Sequence, residues 1–342
     1  MRAFVLPLVA LAGLVAATED TCEGPNARIE PPLGAIVVDA TGDYDGSYLT
    51  VSEGVESLDV ATTEVQTIFV MPGVYKEQVL VPALAGALVL QGSTCDAMSY
   101  EDNEVTITHA KAQKDLPASV TKGRNDLTST VRFKASNVTV YIANTAGNVG
   151  QAVAATVDGT DYGFYGCNFT GWQDTLYANK GRQLYAQSYI SGAIDFIFGS
   201  KAAAWFESCD IESVGRGCIT ANGRSSEENP SFFVFNDAQV FGSGAKGSAF
   251  LGRPWRPYAR VVWQNSELDD IINPEGWSLS GTRPPARTTS TSGSSTTLAP
   301  VRRRTSASSS AWSSRNRSLS PRSSARTLSP SGGSTPTTCR IR

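Results

Sequence analysis

Residues 164–169 read FYGCNF and residues 185–190 read YAQSYI. In both, a large apolar residue is followed three positions later by a small residue and five positions later by an apolar one. The first members of six such sets are 31, 21, 21, 29 and 28 residues apart. The sets are Phe133/Ser136/Val138, Phe164/Cys167/Phe169, Tyr185/Ser188/Ile190, Phe206/Cys209/Ile211, Phe235/Ala238/Val240 and Trp263/Ser266/Leu268. A repeat of this length indicates units that stack on one another.

The segments around the repeats favour short strands over helices. Strand-like runs such as QTIFVM, ALVLQG and EVTITHA precede the first set, and helical periodicity is nearly absent. Many short strands would also suit a β-sandwich. A coil of roughly 20–30 residues favours a solenoid instead. We therefore predict an all-β fold, a parallel β-helix in which equivalent residues of neighbouring coils stack.

The stacking predicts the state of two of the six cysteines. Cys167 and Cys209 would be two coils apart, about 9–10 Å at ~4.8 Å per coil, which is too far for a disulfide. We expect both to be buried thiols in an inward ladder where Cys, Ser and Ala interchange. No CxxC pair is present, which argues against a zinc site. The sequence leaves any disulfide pairing open.

Charge divides the chain into two parts. Residues 18–283 hold 18 Lys and Arg against 32 Asp and Glu, whereas residues 284–342 hold 10 Arg and no acid. An acidic body argues against a nucleic-acid binder. The basic segment is rich in Ser, Thr and Pro and cannot bury a core, so we expect it to be disordered. A stalk carrying O-linked sugars is an alternative.

Residues 1–17 are typical of a secretory signal peptide, with an apolar run and small residues at the cleavage positions Val15 and Ala17. The run is too short to span a bilayer, and no other apolar stretch is long enough. We therefore predict a secreted, extracellular protein that does not bind membranes. Three glycosylation sequons fit that route, at Asn137, Asn168 and Asn316.

Two acids stand in unusual surroundings. In GWQDTLYA, residues 171–178, Gln173 and Asp174 lie side by side within an aromatic frame, although a polar turn would also explain them. In SGAIDFIFGS, Asp195 is flanked by apolar residues, where a carboxylate is costly unless it is paired. A surface strand with Asp195 facing solvent is the alternative.

Arg253, in LGRPW, is a suitable partner for Asp195 because a guanidinium holds a carboxylate in a bidentate pose. Asp174 and Asp195 are 21 residues apart, which equals the local repeat, so stacking would make them neighbours. The paired Asp195 would stay ionised, while its charge and nearby rings would raise the pKa of Asp174. A nucleophile and a proton donor would then be available, and the amide of Gln173 could stabilise an oxyanion.

The single histidine, His109, lies in the strand-like stretch EVTITHA. A Ser-His-Asp triad would have to use it, and a histidine-rich metal site is impossible. We expect a structural or surface role for it.

Five motifs occur in a fixed order: GVYKE at 73–77, QAVA at 151–154, GWQDTLY at 171–177, DFIFG at 195–199 and LGRPW at 251–255. With them the chain resembles the pectin methylesterases from about residue 36 to residue 278, and the last three motifs together are specific. The resemblance implies a right-handed, single-stranded parallel β-helix. It is closer to microbial, fungal-type members than to typical plant ones, which carry a long inhibitor-like region before the match.

The resemblance also implies the roles of individual residues. Asp195 matches the nucleophile that attacks the C6 methyl ester of a galacturonate unit, and Asp174 matches the acid that protonates methanol and then activates water. Gln173 and Gln151 match oxyanion amides, and Arg253 matches the residue that orients the nucleophile. Positions that line the sugar cleft are matched by Tyr177, Phe198, Trp255 and Trp277. The implied partner is pectin (methylated homogalacturonan), with no metal or organic cofactor, and the implied state is a monomer.

The chain departs from the family after INPEGW, residues 272–277. Ser280 stands where a second Trp is usual, and the closing acidic-aromatic segment and helix are absent from the sequence. We therefore divide the chain into a signal peptide (1–17), a catalytic β-helix (18–283) and a tail (284–342). The tail is either a genuine variable segment or the product of a shifted or mis-spliced reading frame.

Three other functions stay open at this level. A polysaccharide lyase would need calcium-binding acids and an arginine base, a pattern that these motifs do not match. A glycosidase with paired acids would create new reducing ends instead of methanol. A non-catalytic wall-binding β-helix would follow if the altered C-terminus abolished activity.

Overall fold

The computed structural model describes residues 22–141, 143–146, 150–278, 297–298 and 302–303. The predicted signal peptide lies outside these residues, as does the predicted tail except for two short strands. Two α-helices, α1 (Val51–Glu56) and α2 (Arg124–Thr128), and one 3₁₀-helix (Gln113–Asp115) are described. None of these helices is long and apolar enough to cross a membrane.

The strands account for most of the described secondary structure. In chain order they are β1 (Ile36–Val38), β2 (Gln66–Val70), β3 (Gly73–Lys76), β4 (Val79–Val81), β5 (Leu88–Gly92), β6 (Val105–His109), β7 (Val131–Phe133), β8 (Val138–Tyr141), β9 (Ala143–Ala146), β10 (Ala155–Asp158), β11 (Tyr162–Tyr165), β12 (Asn168–Thr170), β13 (Leu176–Ala186), β14 (Tyr189–Gly192), β15 (Ile197–Gly199), β16 (Lys201–Glu207), β17 (Asp210–Ser213), β18 (Gly217–Asn222), β19 (Phe232–Asn236), β20 (Gln239–Gly242), β21 (Ala249–Pro254), β22 (Val261–Gln264), β23 (Glu267–Leu268), β24 (Thr297–Leu298) and β25 (Arg302–Arg303).

The strands stack in parallel on three faces of a solenoid. Face one contains β1, β2, β5, β8, β11, the second part of β13, β16, β19, β22 and β24. Face two contains β3, β6, β9, β12, β14, β17, β20, β23 and β25. Face three contains β4, β7, β10, the first part of β13, β15, β18 and β21. From β2 to β23 the chain passes through face one, face two and face three in turn, which confirms the predicted parallel β-helix.

Five of the six predicted sets stack in register. The first members form a column on face one, Phe164, Tyr185, Phe206, Phe235 and Trp263. Their rings lie parallel with centroids 4.8, 4.7, 4.3 and 3.9 Å apart. The last members form a second column on face two, Phe169, Ile190, Ile211, Val240 and Leu268. Both columns are buried, so stacking of apolar side chains builds the core.

The set that begins with Phe133 does not stack on the other five, so this part of the prediction is wrong. Phe133 lies on face three opposite Val157, and Val140 is the residue that stacks on Phe164. The chain turns at Asn137 between β7 and β8, a different corner from the one that the other sets share. The same sequence pattern therefore occurs at two different corners of the coil.

The small residues form the predicted inward ladder at the corner between faces one and two. Cys167, Ser188 and Cys209 are fully buried, and each follows a residue in the left-handed region. Cys167 and Cys209 are not in a disulfide, as predicted. The Sγ of Cys209 instead donates to the carbonyl of Tyr185 at 3.4 Å. The disulfide that the sequence left open joins Cys22 to Cys95.

Candidate active site

Asp174 and Asp195 occupy equivalent positions at the corner between faces two and three. Asp174 lies between β12 and β13, and Asp195 lies between β14 and β15. The strands that follow them pair Leu176 with Ile197 and Tyr177 with Phe198, so the two acids are one coil apart. This is the placement that the 21-residue spacing predicted.

A bend in the backbone lets Gln173 and Asp174 share this corner. Asp174 has φ 64° and Asp195 has φ 50°, both in the left-handed region that non-glycine residues rarely adopt. The Asp174 N–H donates to the Ile194 carbonyl at 3.1 Å, and the Asp195 N–H donates to the Cys218 carbonyl at 2.7 Å. Regular strand geometry would send adjacent side chains to opposite faces. The left-handed turn, which recurs at other corners of the coil, instead bends the chain at both acids.

Arg253 and Asp195 form the predicted bidentate ion pair. The Arg253 Nε donates to Asp195 Oδ1 at 2.9 Å and Oδ2 at 3.0 Å, and its Nη2 donates to Oδ2 at 2.6 Å. These hydrogen bonds raise the pKa of Arg253. The side chain of Asp195 is nearly buried, and a carboxylate in that position is stable only when its charge is compensated in this way.

Within the described part of the chain, no Lys or Arg forms an ion pair with Asp174. Burial, and then the negative charge of Asp195, raise the pKa of Asp174 to about 7, whereas a hydrogen bond from Asn125 and the charge of Arg253 oppose the rise. Asp174 is 8% exposed and Asp195 is 9% exposed, so the two side chains are about equally buried but have different charged neighbours. One acid is thus paired with a guanidinium and the other is not, and unlike surroundings of two neighbouring acids are a recurrent way of dividing acid and nucleophile roles.

Gln151 and Gln173 lie on adjacent coils at the same corner. An isolated parallel bridge joins Gln151 to Gln173, and another joins Gln173 to Ile194. Gln151 is exposed and Gln173 is half-buried. The backbone register thus places two glutamine residues at the corner that carries the two acids.

An aromatic cluster runs along face three beside the acids. Register places Thr156, Tyr177, Phe198, Ala221 and Arg253 in one row across the strands. The rings of Tyr177 and Phe198 stack at 4.4 Å, and Trp255 meets Phe198 edge-on at 6.3 Å. Burial raises the pKa of Tyr177 to about 12, so its phenol stays neutral. These rings form an apolar cluster that carries the polar hydroxyl group of Tyr177.

Trp277 lies outside this aromatic cluster. It is bridged to Gly252, one residue before Arg253, and packs against the main core. The side chain is half-buried. Substrate contact by Trp277 therefore stays a prediction, and packing over Gly252 is its observed contact.

Two neighbours of the acids were missed from the sequence. The Nδ2 of Asn125 donates to Asp174 Oδ2 at 3.1 Å from α2, 49 residues earlier. Cys218 lies beside Asp195, and burial raises the pKa of its thiol to about 11. His109 ends β6 on face two, away from these face-three strands. Among the described residues, no three His, Cys, Asp or Glu side chains are grouped to hold a metal ion.

Comparison with known proteins shows which proteins this chain is similar to. The family model described as Pectinesterase matches residues 35–289. A pectinesterase from Aspergillus aculeatus is 46% identical over 270 residues, covering 76% of this chain and 79% of the relative. A pectinesterase from Aspergillus niger is 44% identical over 270 residues, with the same coverage of both chains.

Solved structures agree with the fold. The pectin methylesterase from Aspergillus niger, in deglycosylated form, matches with a TM-score of 0.69 at 36% identity, covering 81% of this chain and 87% of that one. The pectin methylesterase from carrot matches with a TM-score of 0.63 at 28% identity, covering 72% of this chain and 78% of that one.

Proposed function

The chain belongs to the pectinesterase family, in its fungal type, and is a carboxylic ester hydrolase that de-esterifies pectin; we propose that Asp195 and Asp174 carry out the reaction. The substrate is the C6 methyl ester of galacturonate units, and the products are methanol and de-esterified pectin. One observation carries the proposal. The two acids occupy equivalent turns of adjacent coils, and only Asp195 is clamped by Arg253.

In the first half-reaction an oxygen of the Asp195 carboxylate attacks the ester carbonyl carbon. The tetrahedral oxyanion accepts hydrogen bonds from the amides of Gln173 and Gln151. As it collapses, the bond to the methoxy oxygen breaks, and that oxygen takes the proton of Asp174 and leaves as methanol. The result is an acid anhydride between galacturonate and Asp195, with Asp174 ionised.

In the second half-reaction Asp174 acts as a base. It removes a proton from water, the hydroxide attacks the galacturonate carbonyl, and the anhydride bond to Asp195 breaks. Asp174 is again protonated, Asp195 is again a carboxylate, and the acid product ionises in water. A pKa of about 7 suits both halves, because the group must give up a proton and regain it in one cycle.

Arg253 serves the nucleophile by orientation. Hydrogen bonds from two nitrogens of Arg253 fix the plane of the Asp195 carboxylate. Less conformational entropy is therefore lost when the carboxylate reaches the geometry required for attack. Tyr177 and Trp255 are half-buried, and we propose that their flat rings contact the apolar faces of sugar units. Phe198 is only 3% exposed, so it supports the cleft by stacking on Tyr177 and offers little surface to the sugar. Trp277 is proposed as a further contact at the Arg253 end.

Product analysis tests the function. Purified protein is incubated with highly methylated pectin while methanol, new reducing ends and unsaturated product absorbance are followed together. We expect methanol alone. Reducing ends without methanol would indicate a glycosidase, unsaturated product a lyase, and no product at all a non-catalytic wall-binding protein.

We further propose that the protein acts outside the cell as a glycosylated monomer. Asn137 is exposed, and the Oδ1 of Asn168 accepts a hydrogen bond from the Thr170 hydroxyl at 2.8 Å within its sequon. An Aspergillus niger relative carries an N-acetylglucosamine stub at an asparagine of its own. Peptide mass spectrometry of secreted protein would locate the glycans, and sedimentation would give the oligomeric state. Unmodified sequons or a dimer would contradict the respective proposal.

A further inference from the structure

Asn125 reaches the proposed acid from a different part of the chain. It lies in α2, within the long turn between β6 and β7. This turn is at the same corner as Asp174 but two coils earlier, since β7 pairs with β10 and β10 pairs with β13. The Nδ2 of Asn125 lies 3.1 Å from Asp174 Oδ2.

The orientation of the Asn125 amide is fixed by its neighbours. The side-chain amide of Gln113 donates to Asn125 Oδ1. The backbone of Gln113 is held in turn, because its N–H donates to the Gln151 carbonyl at 3.0 Å and its carbonyl accepts from Arg124. The Thr128 hydroxyl donates to the backbone carbonyl of Asn125 at 2.8 Å. With Oδ1 occupied by a donor, the N–H₂ end of Asn125 is the end that faces Asp174.

We infer that Asn125 is a positioning residue for Asp174, holding Oδ2 as an acceptor so that the acidic proton resides on Oδ1. The hydroxyl oxygen of a protonated carboxyl group is a weaker acceptor than its carbonyl oxygen, so an amide N–H directed at Oδ2 favours the tautomer with the proton on Oδ1. The proton is thereby directed to the oxygen that would meet the departing methoxide. The inference rests on the proposed function, because it assigns a role within the same site.

The hydrogen bond from Asn125 also affects how readily Asp174 ionises, because charged groups surround this carboxyl group. Asp195 repels the ionised form, Arg253 favours it, and the neutral phenol of Tyr177 lies nearby. The N–H of Asn125 stabilises the ionised carboxylate. Without it, burial and Asp195 would hold the proton more tightly, and Asp174 would release it to methoxide less readily.

The pH profile of kcat/KM for methanol release tests this role. Asn125→Ala removes the donor, Asn125→Asp replaces it with a carboxylate of similar shape, and Leu127→Ala is the control in the same helix. We expect the alkaline limb to move up by about one pH unit for Asn125→Ala, since a hydrogen bond to a charged group is lost. It should move at least as far for Asn125→Asp and should stay in place for Leu127→Ala. A uniform loss of activity with an unmoved limb would overturn the inference.

A second measurement needs no activity. Unfolding midpoints are compared for the wild type and Asn125→Ala at pH 5 and pH 8, with and without Asp174→Asn. We expect Asn125→Ala to cost more stability at pH 8, and this difference to vanish in the Asp174→Asn background. Equal losses at both pH values would overturn the inference, and Asn125→Asp replaces the Ala variant if the latter does not fold. If the wild type released no methanol, the proposed function would be contradicted, whatever the result of these unfolding measurements.

Discussion

Replacing Asp174 with asparagine should remove activity and stabilise the fold. Burial and Asp195 raise the pKa of Asp174 from 3.8 to about 7. Between these values the folded protein holds a proton that the unfolded chain has released, so the free energy of unfolding falls as pH rises. Asparagine cannot ionise, and its amide oxygen can still accept the hydrogen bond from Asn125.

The size of the effect follows from the two pKa values. Each pH unit between them is worth about 1.4 kcal/mol, so ionised Asp174 costs the fold about 4 kcal/mol at most. The gain from Asp174→Asn should be near zero at about pH 4, grow through the interval and be complete above about pH 8. The stability of the wild type at high pH is therefore limited by its own proposed acid.

Denaturant unfolding with the Cys22–Cys95 disulfide intact provides the assay, at several pH values from about 4 to 8. The exposed Asp45 supplies the control Asp45→Asn, which removes one negative charge from a surface position. A stability difference for Asp174→Asn that is flat across this range, or that is larger at low pH, would refute the reasoning. It would mean that Asp174 is ionised in the fold at no cost.

Three further predictions concern the site and the coil that carries it. In the wild type, kcat/KM for methanol release should fall above a pH of about 7, because Asp174 then lacks the proton for methanol; a limb two units away would contradict this assignment. Gln173→Ala should lower kcat about 10²- to 10³-fold if the amide binds the oxyanion, and an effect confined to KM would make it a binding residue. Gly199→Ala should destabilise the fold by about 2–4 kcal/mol in thermal or denaturant unfolding, since a Cβ there would lie 1.7 Å from the Ala178 carbonyl oxygen; unchanged stability would show that the coil relaxes.

Much of the fold was predictable from the repeat because equivalent residues of each coil are buried at the same position. Phe164, Tyr185 and Phe206 share a column since the chain returns to the same corner every 21 residues. The same regularity placed Asp174 beside Asp195. The prediction fails for Phe133 because the pattern specifies a large, a small and an apolar residue but not the corner of the coil at which they occur.

Features outside the repeat could not be found in this way. Asn125 contacts Asp174 from the irregular turn between β6 and β7, and no periodicity constrains that turn. The Cys22–Cys95 disulfide joins positions that precede the repeat. The ion pair of Arg253 with Asp195 was predictable because a buried carboxylate needs a cation, and LGRPW offered a rigidly held one.

Methanol release by an Asp195→Asn variant tests the central claim most directly. The substitution keeps the shape of the side chain but removes the nucleophilic carboxylate. With folding verified by circular dichroism and thermal unfolding, we expect a loss of about 10⁴-fold or more in kcat on methylated pectin. A folded variant that releases methanol within about tenfold of the wild-type rate would contradict the assignment of Asp195 as the nucleophile.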